Sequence, residues 1–135
     1  MSLNPAPLVL LIDHDADNRD MYGTMLAVSG FDVLQAENIV EALALVAERL
    51  PAVAVAVTDL RMPGDVPAAE LCRQFREVGV PVITLTAVGP GKDHDAMRRA
   101  GCARILMKPL PPDQLIMEIT RLLTPGSVTA SGCTS

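Results

Sequence analysis

Four short apolar runs in this chain each end on a polar side chain that can do chemistry. Leu8–Ile12 is followed by Asp13, His14 and Asp15, the run from Val53 by Thr58 and Asp59, Pro81–Leu85 by Thr86, and Arg104–Met107 by Lys108. Two carboxylates brought close together repel, and a hard divalent cation such as Mg²⁺ (or Mn²⁺) relieves that repulsion through oxygen ligands. The same cation can neutralise a phosphoryl group in transfer. A carboxylate held beside it can attack phosphorus as a nucleophile and form an acyl phosphate. Lys108 offers a point charge to phosphoryl oxygens and Thr86 a hydroxyl donor. Any one of these residues could simply terminate a strand. Four such endings with complementary roles point instead to one pocket, with Asp59 as its reactive centre.

The elements that must position these groups follow from the apolar pattern. Continuous apolar runs bounded by polar or turn residues read as buried strands: Leu8–Ile12, the weaker Phe31–Gln35, Val53–Thr58, Pro81–Leu85 and Arg104–Met107. Between them lie helical stretches. Asp17–Ser29 carries Met21, Tyr22, Met25 and Leu26 on one face and ends at Gly30. Asn38 can cap a helix running to about Leu50, with Val40, Leu43, Ala44 and Ala47 on one face and Pro51 as its stop. After the break at Met62-Pro63-Gly64, Ala68 to about Val78 carries Leu71, Cys72 and Phe75; Pro67 can start this helix at its first position. Asp93–Ala100 is a short polar helix ended by Gly101, and the last helix follows Pro111-Pro112 with Leu115, Ile116, Ile119, Leu122 and Leu123 inward.

Five strands alternating with five helices imply a doubly wound α/β fold, (βα)5 and flavodoxin-like. Its five-stranded parallel sheet has the expected order 2-1-3-4-5, with helices on both faces. That order makes strands one, three, four and five neighbours, and ligands of such sheets bind beyond the carboxyl ends of the strands. Asp13, Asp59, Thr86 and Lys108 then converge.

Composition narrows the rest. The 135 residues fit one domain, read as residues 8–124, with an N-terminal extension over 1–7 and a Gly/Ser/Thr-rich flexible tail or linker over 125–135. A net charge of −5 without a basic run gives no footing for direct nucleic-acid binding. No apolar run approaches the length of a membrane span, and the N-terminus has no signal-peptide pattern. Cys72, Cys102 and Cys133 match no zinc or redox spacing. Cys72 and Cys102 read as small buried hydrophobes and Cys133 as part of the tail, with a reduced, cytoplasmic setting as the default. Asp93-His94-Asp95 reads as a solvated helix face rather than a metal cluster, and Gly89-Pro90-Gly91 as a rim loop.

The segments LVLLIDHDADNRD, VAVTDLRMPG, VITLTA and ILMKPL, in this order and spacing, resemble the receiver domain of two-component response regulators, over roughly Leu8–Leu123. The resemblance implies a phosphoacceptor role for Asp59, with a histidine kinase or phosphotransfer protein as donor. It implies metal ligation by Asp13, the Asp59 carboxylate and the backbone carbonyl of Arg61, phosphoryl contacts from Thr86 and Lys108, and a cis Lys108-Pro109 bond. It also implies a signalling phosphoacceptor rather than an enzyme with a separate substrate. In relatives the face built by the fourth helix, fifth strand and fifth helix often dimerises or meets partners.

Three departures from the family pattern stand out. His14 occupies the place of the second acidic residue, and imidazole suits transition metals better than Mg²⁺. The site is then either tolerated, with Asp15 or water filling in, or altered in metal preference, or degenerate and signalling without phosphorylation; a working but weaker Mg²⁺ site is the reading adopted. Ile105 stands where many receivers carry Tyr or Phe, so any readout must use aliphatic packing or loop backbone. Asp65-Val66-Pro67 replaces a segment that commonly contains Gly. A rival reading takes Asp13-His14-Asp15 as the D-x-D opening of a haloacid-dehalogenase-type phosphatase with Asp13 as nucleophile. Asp17 stands where its Thr belongs, and no acid pair follows Lys108.

Overall fold

The computed structural model describes residues 6–49, 53–62, 67–87, 89 and 91–124. In chain order the elements are β1 (Leu8–Ile12), α1 (Ala16–Val28), β2 (Asp32–Ala36), α2 (Ile39–Arg49), β3 (Val53–Asp59), α3 (Ala68–Glu77), β4 (Val82–Thr86), α4 (Lys92–Arg99), β5 (Arg104–Met107) and α5 (Pro112–Leu123). Every strand pairing is parallel and the sheet order is β2-β1-β3-β4-β5, the doubly wound arrangement expected from the sequence. Pro51, the Pro63–Val66 stretch, Pro90 and residues 125–135 with Cys133 lie outside the described residues.

Strand alternation explains the two cores. Successive side chains of a strand point to opposite faces, so Val9 and Leu11 join Tyr22 and Leu26 of α1 and Leu115 and Ile119 of α5 on one side of the sheet. Leu10 and Ile12 point to the other side, where Ile39, Ala42, Leu71, Phe75 and Met97 of α2, α3 and α4 cover them. Both faces are buried, which is why the strands read as unbroken apolar runs.

Helix ends are set locally. Asp15 caps α1, its Oδ1 accepting from the Asp17 and Asn18 amides, and Asn38 Oδ1 accepts from the Glu41 amide at 2.7 Å to open α2. Gly30, at φ +100°, closes α1: its amide donates to Ala27 O, and Phe31 N donates to Leu26 O, a pairing that a left-handed residue makes possible.

Several sequence expectations need correction. On α2 the buried stripe is Ile39, Ala42 and Val46, whereas Val40, Ala44 and Ala47 face solvent. On α1 only Tyr22 and Leu26 of the proposed face are buried; Met21 and Met25 sit exposed at its margin. Pro67 stands just before α3, in extended backbone, rather than at its first helical position. His94 is not on a solvated face: it is buried, while Asp95 beside it is exposed and pairs with Arg98. Cys102 is only partly buried and its thiol is hydrogen-bonded, unlike the fully buried Cys72.

Candidate functional site

Strand register assembles the site. Ile12 pairs with Thr58, so the next residues, Asp13 and Asp59, stand abreast. Asp59 pairs with Leu85, one position before Thr86, and Thr86 pairs with Met107, one position before Lys108. Backbone bonds extend the pattern past the strand ends: Leu60 N donates to Leu85 O and Lys108 N to Thr86 O, each at 2.8 Å. Parallel pairing therefore brings all four predicted groups to one edge of the sheet.

There they line or border a pocket of about 300 Å³ formed by His14, Asp59, Leu60, Arg61, Leu85, Thr86, Ala87 and Lys108. Asp13 borders this pocket through Asp59 and His14 rather than lining it. One ligand atom from each of Asp13, His14 and Asp59 falls within 4.8 Å of the others, a spacing compatible with a single cation. Asp13, Asp59 and Thr86 are buried, whereas the His14 side chain is 56% exposed with Nδ1 3.9 Å from Asp13 Oδ1. Asp15 does not join the group; its Oδ1 is committed to the α1 cap, which separates the two acids of the D-x-D pattern. The Lys108-Pro109 bond is cis, as the resemblance implied.

The central contact is between Lys108 Nζ and Asp59 Oδ1, 2.6 Å apart. It is a close ion pair to a buried carboxylate oxygen. Burial raises the Asp59 carboxyl above its ordinary range and the Asp13 charge adds to this, while Lys108 works against both. Burial disfavours the Lys108 charge, yet contact with Asp59 and the charge of Asp13 outweigh it and hold the ammonium above its usual value. Two acids thus share one ammonium. The surplus negative charge and the carboxylate oxygens of Asp13 and Asp59 fit a hard divalent cation.

Supporting residues escaped the sequence reading. The Asp15 amide donates to Asp13 Oδ1 at 2.9 Å, and Arg19 Nη1 donates to the Asp13 carbonyl at 2.6 Å, so the α1 entry fixes Asp13. Tyr22 hydroxyl donates to Leu110 O at 2.8 Å, tying α1 to the loop that carries Lys108. The available signal was Tyr22 itself, the one tyrosine of the chain on an otherwise aliphatic face, since a buried phenol needs a partner.

Comparison with known proteins identifies the family. The family model described as response regulator receiver domain matches residues 9–120. This chain belongs to the response regulator receiver domain family.

The receiver is 37% identical over 112 residues to an uncharacterized 14.6 kDa protein of Leptolyngbya boryana, covering 80% of this chain and 83% of that one. It is 29% identical to the phosphate regulon transcriptional regulatory protein PhoB of Pseudomonas aeruginosa, with 85% of this chain matching 51% of PhoB. The receiver thus spans about half the length of this regulator. Among solved structures, the Francisella response regulator 1452 receiver domain superposes with a TM-score of 0.75 at 28% identity, covering 86% of this chain and 95% of that one. Vibrio cholerae CheY4 matches at a TM-score of 0.79 and 24% identity, covering 87% and 99%, which supports the fold. The receiver is a signalling module of two-component systems, and among its described residues no helix is long and apolar enough to cross a membrane.

Proposed function

We propose that this receiver accepts a phosphoryl group on Asp59 from a histidine kinase or phosphotransfer protein, with a divalent cation. The observation that carries the reading is the Lys108–Asp59 ion pair of 2.6 Å beside buried Asp13, which gathers two carboxylates and one ammonium at the pocket. Asp13, Asp59 and the backbone carbonyl of Arg61 would hold the cation, Mg²⁺ or Mn²⁺. When bound, it neutralises charge on the phosphoryl oxygens and between the two carboxylates.

The chain's own residues do the rest. An Asp59 carboxylate oxygen attacks phosphorus, the bond from phosphorus to the donor nitrogen or oxygen breaks, and Asp59 becomes an acyl phosphate. The Lys108 ammonium, already against Asp59, shifts its charge to the new phosphoryl oxygens. Thr86, across the same pocket, supplies a hydroxyl to them. His14 brings one negative charge fewer than an acid at its place, which weakens Mg²⁺ binding, and its imidazole nitrogen suits Mn²⁺ better than Mg²⁺. Ile105 has no ring to turn, so the readout runs through aliphatic packing and the loop backbone.

The domain spans residues 8–124 and works in the cytoplasm, with partners meeting the α4-β5-α5 face, where Met107 and Met117 are about half exposed. Sizing the chain before and after phosphorylation tests this face: a shift to a dimer supports it, and an unchanged monomer counts against it. The phosphoacceptor reading is tested by incubating the folded chain with a small acyl-phosphate donor and Mg²⁺ or Mn²⁺. A phosphoryl adduct in the intact mass supports it. A folded chain that stays unmodified with either metal leaves an interaction module that signals without phosphorylation.

A further inference from the structure

The cation site contains a donor that a Mg²⁺ site does not use. Of the three side chains that bring one ligand atom each within 4.8 Å of the others, Asp13 and Asp59 offer carboxylate oxygen and His14 offers imidazole nitrogen. Mg²⁺ holds to oxygen donors in a near-octahedral shell and keeps several waters. Zn²⁺ is borderline-soft and takes nitrogen and carboxylate oxygen together, with three side chains often leaving its fourth position to water.

The placement of His14 suits it to that role. Both acids are buried and held: the Asp15 amide donates to Asp13 Oδ1 at 2.9 Å, and Lys108 Nζ lies 2.6 Å from Asp59 Oδ1. An ionised carboxylate has two oxygens, so the contact with Lys108 does not use up Asp59 as a ligand. His14 is the adjustable member of the group. Its side chain is more than half exposed at the pocket, with Nδ1 3.9 Å from Asp13 Oδ1. Two atoms that share a zinc at about 2.0–2.2 Å stand roughly 3.3–3.6 Å apart at tetrahedral angles. A small rotation of the exposed ring closes the remaining gap without disturbing either acid.

On the cation site assigned above, and independently of phosphoryl transfer, we propose that His14 is a direct metal ligand and makes the site zinc-selective. Zn²⁺ binds Asp13, His14 and Asp59 together and takes the site ahead of Mg²⁺. The ion beside Asp59 then depends on zinc supply, because the two metals compete for the same pair of carboxylates. Tight zinc binding alone does not decide the matter, since two carboxylates attract any divalent cation. The part of the affinity that depends on the imidazole does.

The test titrates the full chain with Zn²⁺ and, separately, with Mg²⁺, reading affinity by calorimetry and the imidazole nitrogen resonances by NMR. In the wild-type chain Zn²⁺ should give the His14 ring a coordination shift that Mg²⁺ does not, leaving His94, buried on α4, as the internal control. Loss of an outer-shell partner alone costs about 10–100-fold in metal affinity, so His14→Ala, which removes a ligand, should lose at least about tenfold for Zn²⁺ and keep its Mg²⁺ affinity. In Asp13→Asn the zinc-induced shift of His14 should vanish. A His14 ring that does not respond to zinc, equal losses for the two metals in His14→Ala, or a shift that survives in Asp13→Asn overturns the proposal. The resonance arm uses the wild-type chain, so it holds even if a variant fails to fold. A chain that binds zinc through His14 but takes no phosphoryl group on Asp59 would sink only the phosphoacceptor reading; a phosphorylated chain with an unresponsive His14 would sink only the zinc site.

Discussion

Lys108 reaches from the end of β5 past Thr86 of β4 to place its Nζ 2.6 Å from Asp59 Oδ1 at the end of β3. The pair spans three neighbouring strands and unites the site's nucleophile with its cation. It does not neutralise the site, because Asp13 lies buried beside it. The consequences can be measured in stability as well as in reactivity.

Asp59 should be a destabilising residue. Its carboxyl is raised by burial, so its contribution to stability is fully present below the unfolded pKa of about 3.9 and is lost as pH rises through the higher folded pKa. At neutral pH the buried charge therefore costs stability, and Asp59→Asn should raise the melting temperature by about 2–4 °C or more. Melting both proteins from pH 7 toward pH 4 should show this gap narrowing as wild-type Asp59 protonates. An Asn variant that melts lower at pH 7 would contradict a net cost from the buried Asp59 charge.

Removing the ammonium should do the opposite. Lys108→Met leaves two buried acids without their shared cation and should destabilise the fold, on the order of 1–3 kcal/mol in denaturant. In an Asp59→Asn background most of that loss should vanish, because the double-mutant cycle isolates the pair. Equal losses in both backgrounds would show that Lys108 acts through packing alone.

Divalent metal should stabilise the fold by binding the native state. Calorimetry should find tighter binding for Mn²⁺ than for Mg²⁺, with both lost in Asp13→Asn. Restoring an acid with His14→Asp should strengthen Mg²⁺ binding on the order of tenfold, given the added charge near the ion. No gain in Mg²⁺ affinity would mean that His14 stands outside the coordination sphere.

Tyr22→Phe removes the 2.8 Å hydrogen bond from the buried phenol to the half-buried Leu110 carbonyl, at a cost of about 1 kcal/mol. Equilibrium unfolding in urea measures it directly. An unchanged midpoint would mean that the loop after β5 is held by its other contacts.

Much of this was legible in the sequence because strands buried on both faces read as continuous apolar runs, and each ended on its reactive residue. Asp13, Asp59, Thr86 and Lys108 could thus be assigned to one sheet edge from strand order alone. The inward face of α2 could not be read, since nearly every residue from Ile39 to Ala47 is apolar and packing, not pattern, sets the phase. His94 looked solvated because its sequence neighbours are charged; burial follows from which side of α4 meets the sheet.

The most direct test maps the phosphoryl group. The folded chain is incubated with a small acyl-phosphate donor and Mn²⁺ or Mg²⁺, quenched, and the adduct located by mass spectrometry alongside Asp59→Asn and Asp13→Asn. A single adduct on Asp59 is expected, absent from Asp59→Asn and reduced in Asp13→Asn. An adduct on Asp13 with turnover of phosphate esters, or no adduct with any divalent metal on a folded chain, would contradict it.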